Sequence, residues 1–411
     1  MDLFIPQMPP DEPERELQPS QENVTRIERI RRRRRMRKLR VAAVCVLLIA
    51  AVLAYFAGVY GASISMLGDM VDSVSIAFSR GAGFPAALTL PGFITARELS
   101  GGMAALGERD LVMLSASGKE LRRIQHGFAR PCVTTGNTRV CIYNRGGTEA
   151  LIESRTRPLY HLKTQDAILL AEMSDNGTMA VATKTKLSVY DPLLSEIWYW
   201  KTSETPIAMA FAPDNKHFSV ATLYGADGAL GATITLFSTQ ADAPLTTITT
   251  TEGIPVQMEY LSAETLLVVY DTFVATYDTA DGTQKAYYPY GARMLQNASL
   301  DAGKNTVLLF ASSLHTTLTS MVVLNDSLTE IGTAAVGVRT NGMTANRTGA
   351  YVFTNDSVRT YALDGTFCGE TALLEKPLAM VSASKLLLVT SLQVREFTPP
   401  PKPVTTETAA K

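Results

Sequence analysis

The sequence predicts an all-β fold, a β-propeller of about eight four-stranded blades preceded by a single transmembrane helix. Three observations carry this reading. Short apolar, β-branched segments recur in pairs, the turns around them return every 40–45 residues or so, and an uncharged apolar run of 27 residues (41–67) stands ahead of the first pair. Four strands per unit at that period are the signature of propeller blades; seven blades follow instead if one unit is misread.

Residues 1–25 hold Pro6, Pro9, Pro10, Pro13 and Pro19 and six acids against Arg15. Such a segment buries too little apolar surface to offset its ordering entropy and is expected to be a disordered cytoplasmic tail. Residues 26–40 read as a basic juxtamembrane helix, with Thr25 and Glu28 at capping-box spacing. Within it, Arg31, Arg32, Arg33, Arg34, Arg35, Arg37, Lys38 and Arg40 are expected to meet anionic lipid headgroups. A nucleic-acid role is set aside, because no base-reading motif accompanies these arginines.

The run 41–67 is long enough to cross a bilayer, since about 20 apolar residues in a helix span ~30 Å of hydrocarbon. Ten Lys and Arg lie between residues 26 and 40, whereas the thirty residues after Tyr60 carry only Arg80. The positive-inside rule then puts the N-terminus in the cytoplasm and the remainder outside the plasma membrane, as a single-pass protein. An uncleaved signal anchor fits better than a cleaved signal, whose basic and apolar regions are shorter; Gly61-Ala62-Ser63 keeps cleavage as the alternative.

Residues 68–83 are expected to be a linker and 84–398 the propeller. The strand pairs are 179–183 with 187–190, 217–222 with 234–237, 265–270 with 274–277, 306–311 with 321–324, 350–354 with 358–361, and 385–390 with 392–397. Turns such as Ser174-Asp175-Asn176-Gly177 and Ala212-Pro213-Asp214-Asn215 carry residues that tolerate φ > 0 or preset a turn. The units run 97–126, 129–165, 167–205, 206–253, 254–291, 292–337 and 338–376, with a three-stranded remainder over 377–398. The extended segment 84–90 is expected to supply the missing outer strand and close the ring. The Pro- and Thr-rich residues 399–411 read as a disordered tail.

Beyond residue 68 the chain holds 27 Lys and Arg against 32 Asp and Glu, an acidic balance that argues against a nucleic-acid partner there. His126, His161, His217 and His315 fall in different units with no metal-ligand spacing among them, so no metal, cofactor or catalytic residue is predicted. Gly81-Ala82-Gly83-Phe84-Pro85-Ala86 imitates a dinucleotide fingerprint without the strand and helix that such a loop needs. A hairpin turn at Gly136-Asn137 would put Cys132 directly opposite Cys141, where they form a disulfide or stay as two buried thiols; a slip of one residue would separate them. Trp198, Trp200, Tyr287 and Tyr288 are candidates for stacking on a ligand, with packing between blades as the alternative.

The stretch Leu121-Arg122-Arg123-Ile124-Gln125-His126-Gly127-Phe128, followed by Val140-Cys141-Ile142-Tyr143-Asn144-Arg145-Gly146-Gly147, resembles a family of uncharacterised bacterial single-span membrane proteins with a repeat ectodomain. Phe211-Ala212-Pro213-Asp214-Asn215-Lys216 is similar to a turn common in bacterial propellers. The resemblance implies an extracytoplasmic propeller and transfers no activity. The expected function is a membrane-anchored binding or scaffold module for a protein or cell-envelope component, not an enzyme. A central-pore enzyme and a signal-relay protein are the alternatives.

Overall fold

In the repeats the two central strands are apolar without alternation, which a sheet needs only when both of its faces are covered. In the strand Thr265–Tyr270, the five residues from Leu266 to Tyr270 are fully buried. The computed structural model, which describes residues 68–69, 71–76, 78, 81–202, 204–226, 229–312 and 319–403, shows what covers them. Thirty-two strands among the described residues, β1–β32 in chain order, form eight antiparallel four-stranded sheets. Core clusters run between neighbouring sheets, so each sheet is a blade packed on both sides.

The strands of each blade follow one another from the inside of the ring outward. The inner strands are β2 (Phe93–Leu99), β6 (Pro131–Thr135), β10 (Ile168–Met173), β14 (Thr205–Phe211), β18 (Pro255–Ser262), β22 (Arg293–Ala302), β26 (Gly342–Asn346) and β30 (Pro377–Ser382). The expected units coincide with these blades to within a few residues, the first beginning at Phe93, and the count is eight, not seven. The turn residues behave as their chemistry dictates: Gly177 and Asn215 hold φ of 89° and 59°.

The last blade has only three strands of its own, β30, β31 (Leu386–Thr390) and β32 (Gln393–Glu396). Its outer strand is β1 (Ala86–Ala87), which pairs Ala86 with Val394 and Ala87 with Gln393. The Leu88 amide extends the ladder to the Leu392 carbonyl at 2.8 Å. Leu88 and Leu90 then bury between this blade and the first, in one cluster with Val112, Leu114, Val389 and Val394. The approach is tight: a Cβ on Gly81 would stand 2.5 Å from the Ser117 carbonyl, and Gly118, at φ 74°, packs as closely on Gly83.

Two expectations change. The stretch taken as a linker is helical over 68–69, 71–76 and 78. The first five residues of the expected disordered tail, 399–403, run along blade 7, where Lys402 pairs with Asp364 and holds its carboxyl down to about 2. The cytoplasmic tail, the arginines from Arg31 to Arg40 and the apolar run lie outside the described residues, and no described helix is long and apolar enough to cross a membrane.

Leu88→Ala is expected to destabilise the ring by about 2–5 kcal/mol, read as a lowered denaturation midpoint by circular dichroism. The fully exposed Leu374→Ala should shift it by less than about 0.5 kcal/mol. Equal effects would show that the closure is not what holds the ring.

Candidate interaction faces

The ring has two faces. Turns between first and second strands and between third and fourth strands form one, here the entry face, because residues 81–83 reach the ring there through the Gly81 and Gly83 amides on Ser117. Turns between second and third strands, together with the blade-to-blade connections, form the far face.

On the entry face, blade 2 offers two turns, 136–138 and 155–157, and the helical residues lie against them. Asp69 Oδ2 accepts from Arg139 Nε at 3.0 Å and from Thr138 Oγ1 at 3.1 Å. Asp72 Oδ2 accepts from Ser154 Oγ at 3.3 Å and stands 3.6 Å from Arg157 Nε. Arg155 donates to Ser100 Oγ at 3.0 Å and to Ser73 Oγ. Arg139 and Arg155 are only 3% and 6% exposed, so their charges depend on these partners. Burial lowers the Arg155 pKa, and Asp69 and Asp72 oppose that shift.

The far face carries exposed apolar side chains among exposed charges such as Glu108, Arg145, Lys184 and Asp271. Ile94, Val256 and Met294, each the second residue of an inner strand, are exposed at the mouth of the channel. Leu230 and Leu392, beside turns between second and third strands, and Leu374, on the connection into blade 8, are exposed on the same face. Sequence reasoning passed over these six. For Ile94, Val256 and Met294 the signal was present, since an apolar residue at the start of an inner strand has no neighbouring blade to cover it.

Within the channel wall, hydroxyls tie neighbouring inner strands together. Thr134 Oγ1 accepts the Met173 amide at 3.2 Å, Ser299 Oγ accepts the Ala345 amide at 2.9 Å, and Thr344 Oγ1 donates to the Met380 carbonyl at 3.0 Å. Thr134 Oγ1 also donates to Glu172 at 3.1 Å. Burial pushes the Glu172 carboxyl up to about 7, against the pull of that hydrogen bond and of Arg97. A cleft of about 320 Å³ between blades 5 and 6 is lined in part by Lys285, Lys304 and Asp326, and Lys285 is already engaged by Asp278 at 2.9 Å. Among the described residues no group of His, Cys, Asp and Glu is placed to hold a metal.

The expected site residues separate. The hairpin turns at Asn137-Thr138, so Cys132 faces Tyr143 and Cys141 faces Thr134; the register differs by one pair from the expected one and both thiols are free. Trp198 is a packing residue, 7% exposed, edge-on to Phe218 and Phe237, with Nε1 donating to the Ala241 carbonyl at 2.8 Å. Trp200 tilts onto Phe237 beside it. Tyr288 donates its hydroxyl to Glu330 and accepts from Arg293 at 2.8 Å. Of the four, Tyr287 is exposed, on the outer rim, and Tyr199 presents a second open ring there beneath Lys186. His126 is buried between the Gly107 carbonyl and the Phe128 amide, and burial lowers its pKa. His315 lies outside the described residues.

The residues that carried the family resemblance hold blades together. Arg122 pairs with Glu153 of blade 2 at 3.2 Å, Arg123 donates to the Thr89 carbonyl of the closing segment at 2.9 Å, and the Gly146 amide donates to the Ile168 carbonyl of blade 3 at 2.7 Å. A family model described as "Family of unknown function (DUF5711)" matches residues 94–397. The chain belongs to the DUF5711 family.

Comparison with curated proteins gives no match. Solved structures similar to this DUF5711 chain share its fold. BamB from Moraxella catarrhalis is 13% identical with a TM-score of 0.54, over 76% of this chain and 98% of that one. The C-terminal WD40 domain of Sif2 is 11% identical with a TM-score of 0.56, over 77% and 100%. The computationally designed Ika8 protein is 10% identical with a TM-score of 0.56, over 77% and 98%. At these identities the likeness is one of β-propeller architecture.

Two outcomes are expected. Glu172 keeps its proton in the folded chain at a pH where the unfolded chain has lost it, so its contribution to stability falls as pH rises from about 4.5 to about 7. Glu172→Gln should remove that slope and raise stability at pH 8 by on the order of 1–3 kcal/mol, measured by urea denaturation. Cys141 is fully buried with its thiol pushed up to about 12, so the native protein should leave it unlabelled by maleimide. The unfolded, unreduced chain should take label at both Cys132 and Cys141; failure to label would mean that they are bonded.

Proposed function

We propose that this DUF5711 chain is a membrane-anchored, extracytoplasmic scaffold that binds a protein through its far face. The observation that carries the reading is the set of six exposed apolar side chains on that face, Ile94, Leu230, Val256, Met294, Leu374 and Leu392. Rings of this kind expose a rigid rim, and an apolar surface rimmed by polar turns gains free energy when a partner removes it from water. Anchoring is supported by the uncharged run 41–67 behind the arginines from Arg31 to Arg40, which also meet anionic headgroups in this reading. The entry face, to which the N-terminal segment leads, is then the membrane side. Binding rather than catalysis is the role assigned, with Glu172 held as a structural acid under Thr134. A cell-envelope polymer is the alternative occupant.

The test is photo-crosslinking on intact cells with a benzophenone amino acid at Val256 or Met294, and at Ile197 on the outer rim as control. A single protein partner captured at the two far-face positions, and lost on Leu392→Asp, is expected. Capture of the same proteins at Ile197, or of glycan alone, overturns the protein-scaffold reading. Ile197→Cys, on the outer rim, should also react with a membrane-impermeant maleimide in intact cells, and protection until lysis would overturn the topology.

A further inference from the structure

The helical residues 68–69, 71–76 and 78 are amphipathic in the reverse of the usual sense. Asp69, Asp72 and Ser73, spaced as one side of a helix, turn inward onto Arg139, Arg157 and Arg155. Val71, Val74 and Phe78 follow the i, i+3, i+7 spacing of a second stripe and point away from the ring, 64%, 51% and 87% exposed. A short helix beside a water-facing domain gains nothing by clamping its polar side to protein and leaving its apolar side bare, unless something apolar covers that side. The neighbouring chain indicates the cover. The uncharged run 41–67 ends one residue before Gly68, so a span over that run would deliver this helix to the surface of the bilayer.

We propose that the helix lies flat in the headgroup zone of a phospholipid bilayer, with Val71, Val74 and Phe78 in the acyl boundary. The three arginines of blade 2 grip its other side and so fix the entry face toward the membrane. An interfacial helix sits about 5–10 Å into that boundary. Carried upright from Leu67 as one straight helix, Phe78 would instead stand roughly 16 Å above it at 1.5 Å per residue. The gripping groups are matched for this purpose. Each carboxylate meets an arginine together with a hydroxyl through its Oδ2, so the helix cannot roll without breaking these contacts, although Asp69 Oδ1 is buried without a partner. The inference rests on the anchoring reading above and adds the orientation that a bare tether would leave free.

The experiment uses the full chain in vesicles of phosphatidylcholine and phosphatidylglycerol, with a benzophenone amino acid at Val74, at Phe78, or at Val256 on the far face as control. Flotation is measured first. The expected result is that the chain floats and that irradiation yields phospholipid adducts at Val74 and Phe78 at least fivefold above Val256. Asp69→Ala combined with Asp72→Ala should reduce that ratio by twofold or more while the chain still floats. A floating chain with equal lipid adduct at the three positions overturns the interfacial helix and leaves the anchor standing. A floating chain whose main product at Val74 is a chain-to-chain crosslink assigns the stripe to a second copy and likewise overturns it. A chain that does not float overturns the anchoring reading and this inference together.

Discussion

A ring of sheets ends in two open edges, and everything in this domain depends on how they meet. The meeting is a two-residue ladder, Ala86 and Ala87 against Val394 and Gln393, backed by Leu88 and Leu90 in a cluster that belongs to the last blade and the first at once. A two-residue strand contributes little on its own. It acts as a guide that fixes register, while the buried leucines supply the free energy, on the order of 2 kcal/mol or more for each such side chain. Arg123 adds a tie from the outer strand of blade 1 to the Thr89 carbonyl of the same segment. The closing strand also sets which face receives the preceding chain, and therefore which face is left open.

The two faces use side chains in opposite ways. On the entry face, arginines that are nearly removed from water meet a carboxylate and a hydroxyl, Asp69 and Ser73, from a segment more than sixty residues away in sequence. Such contacts are specific in direction and costly to leave half made. On the far face, three inner strands, two turns and one connection present apolar side chains that no other blade covers. The first arrangement suits a fixed internal joint, and the second suits a surface that is covered and uncovered.

Most of the fold was legible in the sequence, because central strands covered on both sides must be apolar at every position and their turns must admit unusual φ. The same logic found the closing strand, since the last unit was visibly one strand short. What was not legible depended on a single step of register or phase. Asn137 fits a two-residue turn with either neighbour, and choosing Gly136 over Thr138 moved Cys141 from Thr134 to Cys132. In Trp198-Tyr199-Trp200 the alternation is plain, but nothing local says which side of the outer strand meets the next blade; it is the tryptophan side. The helical residues 68–69, 71–76 and 78 were read as part of a linker. The spacing of acids at 69 and 72 against Val71, Val74 and Phe78 was the available signal. The stretches that first suggested a family include joints between blades, as at Arg122 and Arg123.

The closing strand has a consequence for how the protein is made. Residues 86–87 leave the ribosome about 300 residues before their partners at 393–394, an interval of roughly 15–60 s at ordinary rates of synthesis. Through that time Leu88 and Leu90 have no blade 8 to bury against, and the first blade keeps one side uncovered. If the nascent chain is also being carried across a membrane, this unfinished seam is the part of the molecule most exposed to holding factors and to wrong pairing. The ring becomes resistant to both only when its final strand arrives.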